Sequence, residues 1–343
     1  MMDLVRLDPL AISQVLHDWA KAHHRLADIT TTRPLSRTYT IQRRLGSTRS
    51  TDSNSRTLEV DVPVVLAHGM GDSCFNNGMQ RITSHVSQLL HGAYTTCIPI
   101  GDSETEDTNN GYFLNMDASV EIFANAVRQN VKLNEGFHAI GFSQGNNIIR
   151  GYITKYNDPP VKTFLSINGV NAGEGAIPYC RPSSVAGIGM TMCDLLMEQA
   201  SRAAYTEYAQ KHSFQANYWR DPRPSEFPTY QKYAQLAKWN NEGLGGVNQT
   251  YKDNFLKTET YVWIMAMDDA MVWPKEGEQW GAPDPTNPFQ HILPREETEW
   301  YINDLFGLKS AEEAGKNHYE SFQGDHLQFS MEDFDGWVTK YLV

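Results

Sequence analysis

A serine hydroxyl does chemistry only where the chain holds it out to a base, and one stretch of this sequence has the residues for that. Residues 137–156 read FHAIGFSQGNNIIRGYITKY. Phe137 to Phe142 is a short apolar run suited to a buried strand, and Ile148, Ile149, Tyr152 and Ile153 then recur at helical spacing. Between them lies Gly141-Phe142-Ser143-Gln144-Gly145, a G-x-S-x-G at a strand-to-helix junction. A turn this sharp strains the serine backbone and pushes Oγ outward, while the flanking glycines keep side chains clear of strand and helix. The spacing predicts Ser143 as a nucleophile.

Such a serine needs a base, and the base needs a carboxylate to fix its tautomer. Around this kind of turn the chain order is Ser, then Asp or Glu, then His. Three of the eleven histidines come late enough: His291, His318 and His326. His291 sits in a Pro-bounded segment and His318 in a polar one. His326 follows Gly324-Asp325 in a loop ahead of a closing helix, and is the expected base. Asp268 and Asp269 both end a strand candidate, Tyr261–Met267, and pattern alone does not separate them. Glu276 and Glu278 read as solvated surface residues. No metal site is expected, because His23-His24 is a single adjacent pair and neither H-x-x-x-H nor paired C-x-x-C spacing occurs.

The elements that must position these residues alternate. A strand at Val62–Ala67 runs into His68-Gly69-Met70-Gly71-Asp72-Ser73. That loop lacks the G-x-G-x-x-G of a dinucleotide site, but it suits turning a backbone N–H toward a developing oxyanion, with His68 structural. A helix near Met79–Leu90, a strand near Tyr94–Ile100, a helix carrying Val120, Phe123, Ala124, Val127 and Val131, and a strand at Thr163–Ile167 follow. Strands alternating with helices predict a mostly parallel sheet covered on both faces. The alternation lapses over 171–258, which reads as a helical insertion above the carboxyl end of the sheet. Met190, Met192, Met197 and the aromatics there read mostly as the insertion's own small core, with a few of them suited to line an acyl groove. The last helix opens with a capping box, Ser330 and Asp333.

At 343 residues the chain can bury one large core with an insertion, and 40% hydrophobic with 20% charged residues is a globular composition. A net charge of −12 argues against a nucleic-acid partner. Residues 1–57 stand apart: nine Lys and Arg face five Asp there. Asp8-Pro9 starts an amphipathic helix through Leu26, and 46–57, GSTRSTDSNSRT, reads as a flexible linker, so the main domain is expected from Leu58 to Val343. No run approaches the roughly 20 apolar residues of a membrane span. Asp3, Arg6, Asp8 and Asp18 interrupt the first twenty residues, which leaves no secretory h-region and reads as cytosolic. Of the four cysteines, Cys180 and Cys193 are close enough in sequence to be bridging candidates, with the geometry open.

HGMGDS at 68–73, FLN at 113–115, GFSQG at 141–145, PYC at 178–180, YWRDP at 218–222 and GDHLQ at 324–328 together resemble the palmitoyl-protein thioesterase family. The resemblance runs from about Val62 to the C-terminus. It implies an α/β-hydrolase fold with a helical cap and no cofactor. It implies removal of palmitate and other long acyl chains from S-acylated cysteines of proteins or peptides through an acyl-enzyme, with acyl-CoA as a further substrate. In its terms Ser143 is the nucleophile, His326 the base, Asp269 rather than Asp268 the carboxylate, and the N–H groups of Met70 and Gln144 the oxyanion hole. It also implies a Cys180–Cys193 disulfide, a glycan at Asn248 (Asn-Gln-Thr, the one such sequon) and a lysosomal or secreted location, against the cytosolic reading of the visible N-terminus. One segment departs from the family: where relatives tend to carry Gly-Gly-x-His-x-Gly, this chain has Asn168-Gly169-Val170-Asn171-Ala172-Gly173. A lipase or general carboxylesterase, and a catalytically silent hydrolase-like binding module, are the competing expectations.

Overall fold

The computed structural model describes residues 62–180 and 192–343. The amphipathic helix, the polar linker, the boundary at Leu58 and Met190 lie outside the described residues. The strands in chain order are β1 (Val64–Ala67), β2 (Thr95–Cys97), β3 (Phe137–Phe142), β4 (Val161–Ile167), β5 (Thr260–Ala266), β6 (Ala282–Pro283), β7 (Ile292–Leu293) and β8 (Asn317–Phe322). Six form one sheet in the order β2-β1-β3-β4-β5-β8, parallel at every pairing, while β6 and β7 make a small antiparallel pair. This is the α/β-hydrolase fold.

Parallel strands are buried on both faces, so their sequences read as continuous apolar runs. Alternate residues of β1 show the division. Val64 and Leu66 join one core with Met79 and Val86 of α1 (Asn77–Leu89), whereas Val65 and Ala67 join the other. After α1 come α2 (Glu104–Phe113) and α3 (Met116–Gln129), whose N-cap Asn115 accepts the Ala118 N–H. Next is α4 (Gly145–Lys155), which is buried along nearly its whole length. The stretch between β4 and β5 supplies α5 (Met192–Ala204), α6 (Glu207–His212), α7 (Phe214–Tyr218), α8 (Phe227–Tyr233), α9 (Gln235–Trp239) and α10 (Gln249–Lys257). Within it Glu174 pairs with Trp219, and the Arg220 N–H donates to the Glu174 carbonyl at 2.8 Å. Then follow α11 (Glu299–Ile302), α12 (Leu308–Glu313) and α13 (Met331–Tyr341). The last packs Phe334, Trp337 and Val338 on the α1 face of the sheet, behind the Ser330–Asp333 capping box.

Two elements differ from the sequence expectation. The second strand is only Thr95–Cys97, because it is an outer strand with one neighbour. His318, placed in a polar connection by pattern, belongs to β8. That strand is the opposite edge of the sheet and buries only Phe322, so it carries no apolar run to detect.

Candidate active site

The carboxyl ends of β3, β5 and β8 bring the candidate residues together. Ser143 follows β3 with φ of +51°, a left-handed conformation that costs a non-glycine residue free energy. A side chain on Gly145 would overlap the Ala67 and His68 carbonyls, and one on Gly141 would overlap Asn146, which is why this turn is spelled with glycines. The turn is pinned from inside. Ser143 N–H donates to the Ile167 carbonyl at 2.9 Å, and the Asn146 amide donates to both the Ser143 and Ile167 carbonyls at 2.9 Å.

His326 lies in the loop after β8. Its Nε2 is 2.8 Å from Ser143 Oγ and its Nδ1 is 2.6 Å from Asp269 Oδ2. The other oxygen of Asp269 accepts the Met271 and Val272 N–H groups, both at 2.8 Å. Asp269 is 2% exposed. Burial alone would raise its pKa, but the charge and hydrogen bond of His326 outweigh that and hold the carboxyl below its ordinary range. Asp268 is exposed, whereas Asp269 is buried.

Met70 lines the same pocket as Ser143 and His326, and Gln144 begins the turn into α4. The Gln144 side chain is fixed: it donates to the Gly111 carbonyl at 2.7 Å, and its oxygen accepts from Gln215 at 2.7 Å and from the Tyr218 hydroxyl at 3.2 Å. The loop carrying Met70 is braced by Asp107, a residue the sequence did not single out. Asp107 accepts from Ser73 Oγ, Cys74 N–H and Ile100 N–H and pairs with His68 at 3.0 Å. Burial of His68 would lower its pKa, but Asp107 more than offsets this and raises it, so His68 is a buried partner of Asp107.

A predominantly apolar pocket opens from Ser143 and His326 beneath the insertion. Of the aromatics and methionines singled out in the insertion, Tyr218 and Trp219 line it. Met197 is buried elsewhere and Met192 has no described side chain; the methionines present are Met70 and Met271, at the catalytic end. Beside these two aromatics the insertion contributes a run of small residues, Ala200, Ala203, Ala204, Ala209 and Ala216. Small side chains leave a channel that a flexible chain can thread, whereas bulky ones would fill it. Glu174 also lines the pocket; burial above all pushes its carboxyl well above the ordinary range.

The structure pairs Cys180 with Cys193, and also Cys74 with Cys97, across a separation of 23 residues that spacing did not suggest. The second bridge fastens the end of the His68–Ser73 loop to β2. Asn248 is exposed and caps α10 through the Tyr251 N–H. Glu278 is not the solvated residue the sequence suggested. It is fully buried against Asp269, because the turn Lys275–Gln279 folds back under β5.

The sequence pattern of the palmitoyl protein thioesterase family matches residues 63–326. The chain belongs to that family. "Palmitoyl-protein thioesterase 1" of Caenorhabditis elegans is 33% identical over 280 residues, 81% of this chain and 90% of that protein. "Palmitoyl-protein thioesterase 3" of Dictyostelium discoideum is 28% identical over 276 residues, 79% of this chain and 87% of its own. The human "Lysosomal thioesterase PPT2" is 24% identical over 257 residues, 72% and 76% of the two chains. All the motifs quoted for the family resemblance except the end of GDHLQ fall inside residues 63–326.

Proposed function

We propose that the protein is a serine thioesterase that removes long acyl chains, palmitate among them, from S-acylated cysteines of proteins or peptides. The observation that carries this reading is the alanine-lined pocket that starts at Ser143 Oγ, in a chain of the palmitoyl protein thioesterase family. Ser143 Oγ attacks the thioester carbonyl as its proton passes to His326 Nε2, with Asp269 holding Nδ1–H and steadying the imidazolium. The N–H groups of Met70 and Gln144 take the oxyanion. Collapse breaks the C–S bond, and the departing cysteine sulfur takes the proton back from His326. A water then gives its proton to His326 and attacks the acyl-serine, which releases the fatty acid and returns the proton to Ser143.

The same residues cleave oxygen esters, so one preparation should be assayed on a palmitoylated cysteine peptide, palmitoyl-CoA and p-nitrophenyl palmitate. The peptide thioester is expected to have the highest kcat/KM. A preference for the oxygen ester would make the protein a lipase or carboxylesterase.

The reading includes a lysosomal or secreted location, supported by the two disulfides, by the exposed sequon at Asn248 and by the lysosomal name of one relative. Among the described residues no helix is long and apolar enough to cross a membrane. The endogenous protein should shift on glycosidase treatment, and the shift should vanish in Asn248→Gln. An unshifted chain with four free thiols would place the enzyme in the cytosol.

A further inference from the structure

Behind the His326–Asp269 pair lies an acid that the reaction above does not use. Glu278 is 0% exposed. Its Oε2 accepts the Asn168 side-chain amide at 2.8 Å and the Ala266 N–H at 3.1 Å. The same carboxyl shares a hydrogen bond with Asp269, and one nitrogen or oxygen from each of Asp269, Glu278 and His326 lies within 4.8 Å of the other two. Its Oε1 meets no donor among the described residues. Asn168 closes the ring, because its oxygen accepts the N–H of Leu327, the neighbour of His326, at 3.0 Å.

Two carboxylates offer only acceptors to each other, so a bond between them requires a proton on one. Two negative charges buried side by side do not both persist. The proton belongs on Glu278. Each carboxyl receives two N–H bonds, but Asp269 also faces the imidazole, which favours its charged form, whereas Glu278 is the more deeply buried and faces the Asp269 charge. Burial, then that charge, push Glu278 well above the ordinary carboxyl range.

We propose that Glu278 is a positioning residue: a neutral acid that donates its O–H to Asp269 and, through Asn168, anchors the loop of His326, extending the range of the base toward acid pH. This rests on the Ser143–His326–Asp269 reading. The sign follows from the charge on Asp269. A donor on that carboxylate draws off part of its charge, so it stabilises the imidazolium less and His326 gives up its proton at lower pH. Without the donor, Asp269 holds the imidazolium more tightly and the base stays protonated to higher pH. Other ionisable groups surround the site: Asp325, which accepts the His326 and Ala270 N–H groups; Glu174, which lines the pocket; Tyr179, which feels the Asp325 and Asp269 charges; exposed Asp268; and Lys275, bonded to the Met267 carbonyl. All remain in the variants below and act equally on each profile.

The test is the acid limb of kcat/KM, which reports the free enzyme's base, measured on the disulfide-intact protein with a palmitoylated peptide. Glutamine reproduces the neutral acid, with an oxygen for Asn168 and Ala266 and an N–H for Asp269, so Glu278→Gln should leave the limb in place. Glu278→Leu removes the donor and should move the limb up by about half a pH unit to one unit. If Glu278 were ionised, Glu278→Gln would delete a negative charge and move the limb down; that result overturns the proposal. So does a folded Glu278→Leu with an unmoved limb. Should the leucine variant fail to fold, because Ala266 and Asn168 lose their acceptor, the glutamine arm decides alone. Fluorophosphonate labelling of Ser143 in the parent enzyme is the control: without it the underlying reading fails, whatever the Glu278 profiles show.

Discussion

Ser143→Ala should lower kcat by about 10⁴–10⁶ and abolish fluorophosphonate labelling, with the folded protein otherwise unchanged. The chemistry requires an oxygen at one point: the Oγ that stands 2.8 Å from His326 Nε2. Alanine keeps the Cβ, and the turn does not depend on the hydroxyl. Its φ of +51° is enforced by Ser143 N–H to Ile167, by Asn146 bonding two carbonyls and by the glycines on either side. The variant should therefore melt close to the parent and still bind an acyl ligand in the pocket. A Ser143→Ala enzyme that keeps more than about a tenth of its turnover, where a triad loss costs orders of magnitude, would move the nucleophile elsewhere.

What was legible in the sequence shares a physical cause. The elbow, the apolar strands and the helices with a one-sided stripe are set by neighbours within a few residues, and local spacing records such neighbours. β3 could be read to the residue because burial on both faces makes it apolar almost throughout, and α4 was legible from the helical spacing of Ile148, Ile149, Tyr152 and Ile153. β8 escaped because an edge strand buries little; its six residues include Asn317, His318 and Glu320. The residues missed at the site are those whose partners lie far along the chain. Asp107 meets His68 across 39 positions, and Asn168 meets Glu278 across 110. No periodicity reports such pairs, and by default a lone Glu reads as surface. A signal did exist at Asn168, the first position of the segment that departs from Gly-Gly-x-His-x-Gly. Its φ is +48°, a conformation asparagine tolerates, so asparagine keeps the backbone that glycine would allow and adds an amide that reaches Glu278 and Leu327. The alanine-lined channel escaped for another reason: a wall built by absence of bulk leaves no pattern of large side chains to find.

The adjacent aspartates give a sharper test than the serine, because they separate role from proximity. Asp269→Asn should cost about 10⁴ in kcat, the scale seen when a triad carboxylate becomes an amide. Asp268→Asn should cost less than about tenfold, since exposed substitutions away from the chemistry do little. Asp269 uses one oxygen for the Met271 and Val272 N–H groups and the other for His326 Nδ1. An asparagine must turn its carbonyl to the two backbone donors, because an NH₂ there would face N–H against N–H. Its NH₂ then faces His326 Nδ1, which can accept only by giving up its own proton. The ring's proton moves to Nε2, and Nε2–H then confronts Ser143 Oγ with a donor where a base is needed. The fold survives, since the side chain keeps its shape and its backbone bonds, so the loss should appear in kcat rather than in unfolding. Asp268 has no such constraint; its side chain is exposed, and only its N–H is fixed, to the Gly324 carbonyl at 3.0 Å. Steady-state kinetics on both variants beside the parent decide the matter. If Asp268→Asn is the crippled enzyme and Asp269→Asn the active one, the carboxylate that orients His326 is Asp268, and the geometry at the end of β5 has been misread.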